Sequence, residues 1–202
     1  MKKVATITTH SALNYGAVLQ AYALSTYLND SGYHCEVLDY QPSYVKESYQ
    51  LVKVPHSPSG VLLSGFQVMH YRERKVRRER FEAFRKKYLK TTYEKATRKE
   101  EVIALANEFD VLICGSDQIW NPKLHHFDET YFLSYPEIKP KKMSYAASFG
   151  QDSLDDDSKN EIARRISAIE RFGCREYTAQ KLVHELTGQN AAMVLDPVFL
   201  LS

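Results

Sequence analysis

Short apolar runs alternate along this chain with longer stretches whose apolar residues recur at helical spacing. Val4 to Thr8, Tyr33 to Leu38, Asp110 to Cys114, Lys142 to Gly150, Phe172 to Arg175 and Ala191 to Leu195 read as strands or strands running into loops. Between them, Ala17 to Asn29, Arg98 to Asn107, Leu154 to Ile169 and Thr178 to Leu186 read as helices. In the first helix Val18, Leu19, Tyr22, Leu24 and Leu28 are spaced for one buried face, and Gly32 and Gly188 stand where helix C-caps are expected. Asp155, Asp156 and Asp157 fall in a first turn, where negative charge complements the helix dipole. The alternation predicts an α/β protein with a doubly wound, mostly parallel, Rossmann-like sheet. One stretch breaks the rhythm. Residues 42–65, with Pro42, Pro55, Pro58 and two glycines, read as an irregular excursion, and Gln67 to Leu89 as a single basic amphipathic helix after it.

The chain has 202 residues, 44% hydrophobic and 26% charged, which fits one globular domain. Its net charge of +2 gives no global reason to expect nucleic acid as a partner. Charge is uneven, however: Tyr71 to Lys90 holds ten Lys or Arg against three Glu. That helix is either a solvated face or a surface for anions. Cys35, Cys114 and Cys174 stand alone, and an odd count without a CxxC pair points to a reducing, cytoplasmic setting. The amino terminus reads as a first strand rather than a signal peptide, and no apolar stretch approaches the ~20 residues of a membrane helix.

Candidate chemistry concentrates at strand ends, where ligands bind in open α/β sheets. Gly115-Ser116-Asp117-Gln118-Ile119-Trp120-Asn121 follows directly on Val111 to Cys114. Asp117 could act as a base or cap the next turn, with Ser116 beside it. Trp120 could stack on a sugar ring or pack in the core, and the Gln118 and Asn121 amides could hold sugar hydroxyls or close their own loop. His10 is the acid–base candidate of the first loop, a structural histidine being its other reading. Asn14, Tyr15 and Gly16 open a helix, and Gly16 allows a ligand close to backbone N–H groups. Tyr145 and Ser148 lie at a further strand end and either line the same cleft or are ordinary sheet residues. Arg175 is an ion-pair partner or a phosphate ligand. No GxGxxG or GxSxG is present, and the adjacent His125 and His126 lack a third ligand at metal spacing, so no cofactor or metal is expected.

Taken together, several segments in order carry a resemblance: His10 with Asn14 to Leu24, Asp39-Tyr40-Gln41-Pro42, Gly115 to Asn121, Ser144 to Gly150, Arg175-Glu176 and Leu195-Asp196-Pro197. Their order and spacing resemble the polysaccharide pyruvyl transferase family. The resemblance implies a two-domain enzyme of the GT-B type, of which residues 1–202 correspond to the amino-terminal half alone. It also implies transfer of a pyruvate ketal from phosphoenolpyruvate to a sugar of a bacterial surface polysaccharide. The donor-binding arginine and histidine positions of the family lie mostly in the other half, so this chain would be the acceptor side. Its partners would be phosphoenolpyruvate and a sugar or lipid-linked glycan, met in the cytoplasm or at the inner membrane face. The alternatives are half of a GT-B glycosyltransferase and a non-catalytic glycan-binding module.

Overall fold

The computed structural model describes residues 1–52 and 58–201. Four strands, β1 (Lys3–Ile7), β2 (His34–Val37), β3 (Val111–Cys114) and β4 (Lys141–Ser144), pair in parallel in the order β2-β1-β3-β4. Two short strands, β5 (Gly173–Cys174) and β6 (Ala192–Met193), pair in parallel with each other. Isolated bridges link these pieces: Met143 to Arg171 and Ala147 to Cys174 on one side, Val37 to Thr91 and Tyr40 to Ala96 on the other. Read across these bridges, the chain runs outward from β1 through β2 to Thr91, then returns to β3 and runs outward the other way through β4, β5 and β6. The strand order therefore reverses between β1 and β3, as in a Rossmann-like doubly wound sheet, and the crevice at that reversal is where ligands bind.

Helices cover both faces because successive strand residues point to opposite sides. Ala5 and Ile7 of β1 and Leu112 and Cys114 of β3 join one large buried cluster. It is completed by Val102 and Leu105 of α5 (Lys99–Ala106), Ile162 and Ile166 of α8 (Asp156–Ile166), and Leu182 and Val183 of α9 (Tyr177–Thr187). The opposite face carries α1 (Tyr15–Asp30), whose Ala21 packs with Val37 and Leu89. Asn14 caps α1, Asp155 caps α8 through the Ser158 N–H at 2.8 Å, and Gly188 closes α9 in the left-handed region.

The stretch expected to be irregular is partly helical. Of residues 42–65, Ser43–Ser48 form α2, and α3 (Pro58–Met69) begins within the same stretch, while 53–57, with Pro55, lie outside the described residues. The prolines mark helix starts rather than breaks: Pro42 precedes α2 and Pro58 opens α3, where a missing N–H leaves no bond unmade. The single helix expected over 67–89 is likewise two, because His70 leaves helical geometry between α3 and α4 (Tyr71–Tyr88). Two one-turn helices, α6 (Pro122–His125) and α7 (Glu129–Phe132), follow β3, and a 3-10 turn covers Pro197–Leu200.

Gly115, at the mouth of β3, has φ +115, and a Cβ there would overlap the Tyr145 carbonyl oxygen. Gly32 is also left-handed, at φ +86, but has open space around its missing Cβ. Both substitutions to Ala bring backbone strain; only Gly115→Ala adds a clash with backbone that cannot move aside. Thermal unfolding is expected to show Gly115→Ala losing more than about 4 °C beyond the loss of Gly32→Ala, about 2–4 °C per kcal/mol being usual at this chain length.

Candidate active site

The loops after β1 and β3 meet at the strand reversal and are joined by a buried hydrogen-bond knot. Gln20 of α1, 2% exposed, donates to Thr8 Oγ1 at 2.7 Å and accepts from the Ser116 N–H at 3.0 Å. Thr8 Oγ1 in turn donates to the Ser116 carbonyl, and Ser116 Oγ donates to the Ala146 carbonyl beyond β4. Ser116 is fully buried, so it braces the loops and offers nothing to a ligand.

Above this knot opens a cavity of about 490 Å³ with Thr9, Asn14, Asp117 and Gln118 on its wall. Asp117 is half-buried, with its backbone in the left-handed region at φ 78. Its Oδ2 accepts a long hydrogen bond from Thr9 Oγ1, 3.4 Å, and its carbonyl accepts from the Ser148 N–H. Asp117 is not the cap of the next turn. Asn121 holds that place, its Oδ1 accepting from the Lys123 N–H at 3.0 Å, while its Nδ2 donates to Gln118 Oε1. Asn121 is thereby spent on closing its own loop, and Gln118 keeps a place on the cavity wall.

Several expected site residues lie elsewhere. Trp120 is fully buried among Phe132, Phe149 and Phe172, with ring centroids 5.2 to 6.3 Å away, and its indole N–H donates to the Tyr131 carbonyl. No face remains for a sugar; the hydrophobic gain of a whole indole goes to the core. Ser148 is also fully buried and donates to Glu176 at 2.6 Å. Tyr145 has Tyr27 and Asp196 as its charged or titrating neighbours, and burial pushes its phenol up. Tyr15, 68% exposed, lays its ring 4.9 Å from Phe81 of α4, outside the cavity. Gly16 stands beside Asn14, whose side-chain oxygen would lie 3.3 Å from an added Cβ. Arg175 pairs with Asp196 at 2.8 Å and with Glu176, as an ion-pair partner.

His10 is only 1% exposed and faces a different recess, of about 300 Å³, shared with Asp39, Gln41 and Arg85. Its Nε2 lies 3.0 Å from Asp39 Oδ1 and its Nδ1 3.3 Å from the Thr8 carbonyl. Burial alone would push the Asp39 carboxyl up. The hydrogen bond and charge of His10, with the Gln41 amide at 2.6 Å and Lys95, outweigh it and hold the carboxyl below its ordinary value.

The structure adds to the cavity Tyr44, Ser48 and Tyr49, from α2 and its end, which sequence reasoning passed over, and the His125–His126 pair, which it weighed only as metal ligands. Asp128 accepts from Tyr40 Oη at 2.7 Å and from Tyr44 Oη at 3.1 Å, and Tyr44 Oη lies 3.4 Å from His125 Nδ1. Burial pushes the His125 imidazole down, favouring its neutral form, against the opposing pull of Asp128 and Asp117. The repeated tyrosines after Asp39 were the available signal, hidden by the proline content of that stretch.

The basic helix also reaches this site. Arg77 and Arg85 of α4 donate to the Leu13 and Ser11 carbonyls of the β1 loop, at 2.8 and 3.2 Å. Arg74 donates to the Gln50 and Leu51 carbonyls, both at 3.0 Å, and Arg78 to that of Tyr49. These four cations hold loops as well as facing solvent.

Comparison with protein families matches residues 14–202 to the model for polysaccharide pyruvyl transferase. The chain belongs to that family. No curated protein matches it. A pyruvyl transferase carries pyruvyl groups onto polysaccharide in general terms, and among the described residues no helix is long and apolar enough to cross a membrane. The match begins at Asn14, in the loop after β1 that is seated at the strand reversal.

The His10–Asp39 pair predicts the acid limb of stability. A carboxyl whose folded value lies below its unfolded one stabilises the fold above the unfolded value, about pH 4, and that contribution is lost as pH falls through the folded value. Denaturant midpoints are therefore expected to drop on acidification below about pH 4, and Asp39→Asn to flatten that drop. An unchanged acid limb in the variant would place the titration at other carboxyls.

Proposed function

We propose that this chain is the acceptor side of a transferase that makes a pyruvate ketal on a glycan from phosphoenolpyruvate, with Asp117 as the base toward the acceptor hydroxyl. Family membership supports the reaction class. The observation that carries the assignment is a half-buried carboxylate, weakly bonded by Thr9 alone among the side chains of the described residues, on the wall of a cavity at the strand reversal.

The chemistry balances without any oxidant or metal. The enol methylene of phosphoenolpyruvate takes one proton and becomes a methyl group. One acceptor hydroxyl oxygen bonds to the adjacent carbon, and a second replaces the phosphate on it. Of the two hydroxyl protons released, one is accounted for by the methyl group and the other leaves on inorganic phosphate. Asp117 accepts a hydroxyl proton as the first oxygen attacks. Asn14 and Gln118 present amides at the same wall, suited to the remaining hydroxyls. His10 is assigned to holding the β1 loop against Asp39, and Trp120 to the core. The acceptor is a free or lipid-linked glycan offered in the cytoplasm, so no part of the reading requires a spanning segment.

Phosphate release from phosphoenolpyruvate by the whole two-domain enzyme, this chain together with the donor half that the family resemblance implies, measured against galactosides, mannosides and N-acetylhexosamines, tests the reading. Release is expected with at least one acceptor, and Asp117→Asn is expected to lower kcat by about a hundredfold or more, the usual contribution of a general base. Absence of release with every acceptor sinks the transferase reading; an unchanged kcat in Asp117→Asn removes Asp117 as the base.

A further inference from the structure

Sugar recognition needs an aromatic face as well as hydrogen-bonding groups, because a pyranose presents patches of C–H between its hydroxyls. Trp120 cannot supply that face. Among the rings on the cavity wall, Tyr44 is committed at its hydroxyl to Asp128 and packs 5.9 Å from His126, and His125 is 8% exposed. Tyr49 differs from both. It is half-buried on the cavity wall, with Asp117 and Arg77 as the charged groups that bear on its hydroxyl, and among the described residues no other ring packs against it.

Its backbone is fixed from outside the cavity. α2 ends at Ser48 and Tyr49 caps it, its backbone N–H donating to the Lys46 carbonyl at 3.2 Å. Arg78 donates to the Tyr49 carbonyl and Arg74 to those of Gln50 and Leu51, so three successive carbonyls are held by one side of α4. Arg77, between them in sequence, holds the Leu13 carbonyl of the facing β1 loop. A guanidinium presents its donors in a rigid fork, so a single arginine can fix two carbonyls in one orientation. The same helix thus sets the spacing between the rim that carries Tyr49 and the loop that carries Asn14.

We propose that Tyr49 is the platform on which the acceptor's pyranose ring lies, its hydroxyls turned toward Asp117, and that Arg74 and Arg78 are positioning residues that hold it there. This deepens the acceptor-side reading and rests on it. The ligand class is a pyranoside with at least two free hydroxyls. The basic character of α4 then serves the site through guanidinium donors to main-chain carbonyls, and its cations other than Arg74, Arg77, Arg78 and Arg85 are not required for acceptor binding.

The test is binding of methyl galactoside, methyl mannoside and methyl N-acetylglucosaminide to the 202-residue chain, by ligand-observed NMR, alongside phosphate release by the whole two-domain enzyme. Tyr49→Ala is expected to weaken binding about tenfold, corresponding to about 1.4 kcal/mol, and to raise the acceptor KM with kcat nearly unchanged. Tyr49→Phe keeps the platform and should bind as wild type. Arg78→Ala should weaken binding several-fold, whereas Arg72→Ala, on the groove between α1 and α4, should not. Fluorescence of the buried Trp120 reports whether each variant is folded. Wild-type binding and release with Tyr49→Ala indistinguishable from it overturns the platform and leaves the transferase reading standing. Loss in Tyr49→Phe equal to that in Tyr49→Ala overturns it too, by assigning the effect to the hydroxyl. A wild-type chain that binds no pyranoside overturns the platform, and a two-domain enzyme that releases no phosphate with any acceptor overturns the transferase reading as well.

Discussion

The site rests on how β1 and β3 are held side by side while their chains leave in different directions. Parallel pairing fixes the strands, from Val4 opposite Val111 to Ile7 opposite Cys114. Past those residues the ladder ends and two polar loops would be free to part. Gln20 prevents it. One amide reaches across from α1, donating to Thr8 and accepting from Ser116, in a place where neither partner can turn to water. Such a knot adds little net stability per bond, about 1 kcal/mol, yet leaving one of its buried groups unpaired costs about 1–3 kcal/mol. Its effect is specificity of arrangement: only one relative position of α1, β1 and β3 satisfies every member. Asp117 follows Ser116 directly and inherits that position.

The basic helix α4 does from outside what Gln20 does from inside. A run of ten Lys and Arg in Tyr71 to Lys90 reads as an anion-binding or solvated surface because sequence shows charge and not direction. In the fold, four of its arginines end on main-chain carbonyls of two loops. Carbonyls in loops lack ladder partners and must be met by some donor or by water. Arginine supplies several donors at the end of a long stem, so a helix packed beside two loops can satisfy them without entering the core. The charge of this helix is thus partly a consequence of the irregular backbone next to it.

That division explains what was legible in the sequence. The strands were legible wherever an apolar run ended in a glycine or a polar cluster, as at Val111 to Gly115, because burial on both sheet faces leaves that trace. The meeting of the loops was legible for the same reason, since Asn14, Asp117 and Gln118 all follow strand ends and share the cavity wall. The roles of single residues were not. Trp120 sits two positions from Gln118, yet its ring turns into the core and the amide turns out; on a tight turn, no periodicity says which way each side chain goes. Tyr44 and Tyr49 were missed because prolines suggested irregular chain, whereas Pro42 and Pro58 sit at helix starts.

The two candidate proton carriers are separated by their partners more than by their chemistry. Both ring nitrogens of His10 face oxygen acceptors, Asp39 on one side and the Thr8 carbonyl on the other. To take a proton from a substrate the ring would have to leave one of them, and at 1% exposure it has no water to replace the bond. Asp117 is in the reverse situation. Among the described residues its single side-chain bond, from Thr9 at 3.4 Å, is near the limit of a hydrogen bond and engages only one oxygen. Its left-handed backbone holds the carboxylate out on the wall instead of letting it fold back as a turn cap, a task already done by Asn121. An uncommon backbone conformation of this kind, at a half-buried charged residue, is what a preorganised group requires: the strain is carried by the fold, and the carboxylate stays available for an incoming hydroxyl.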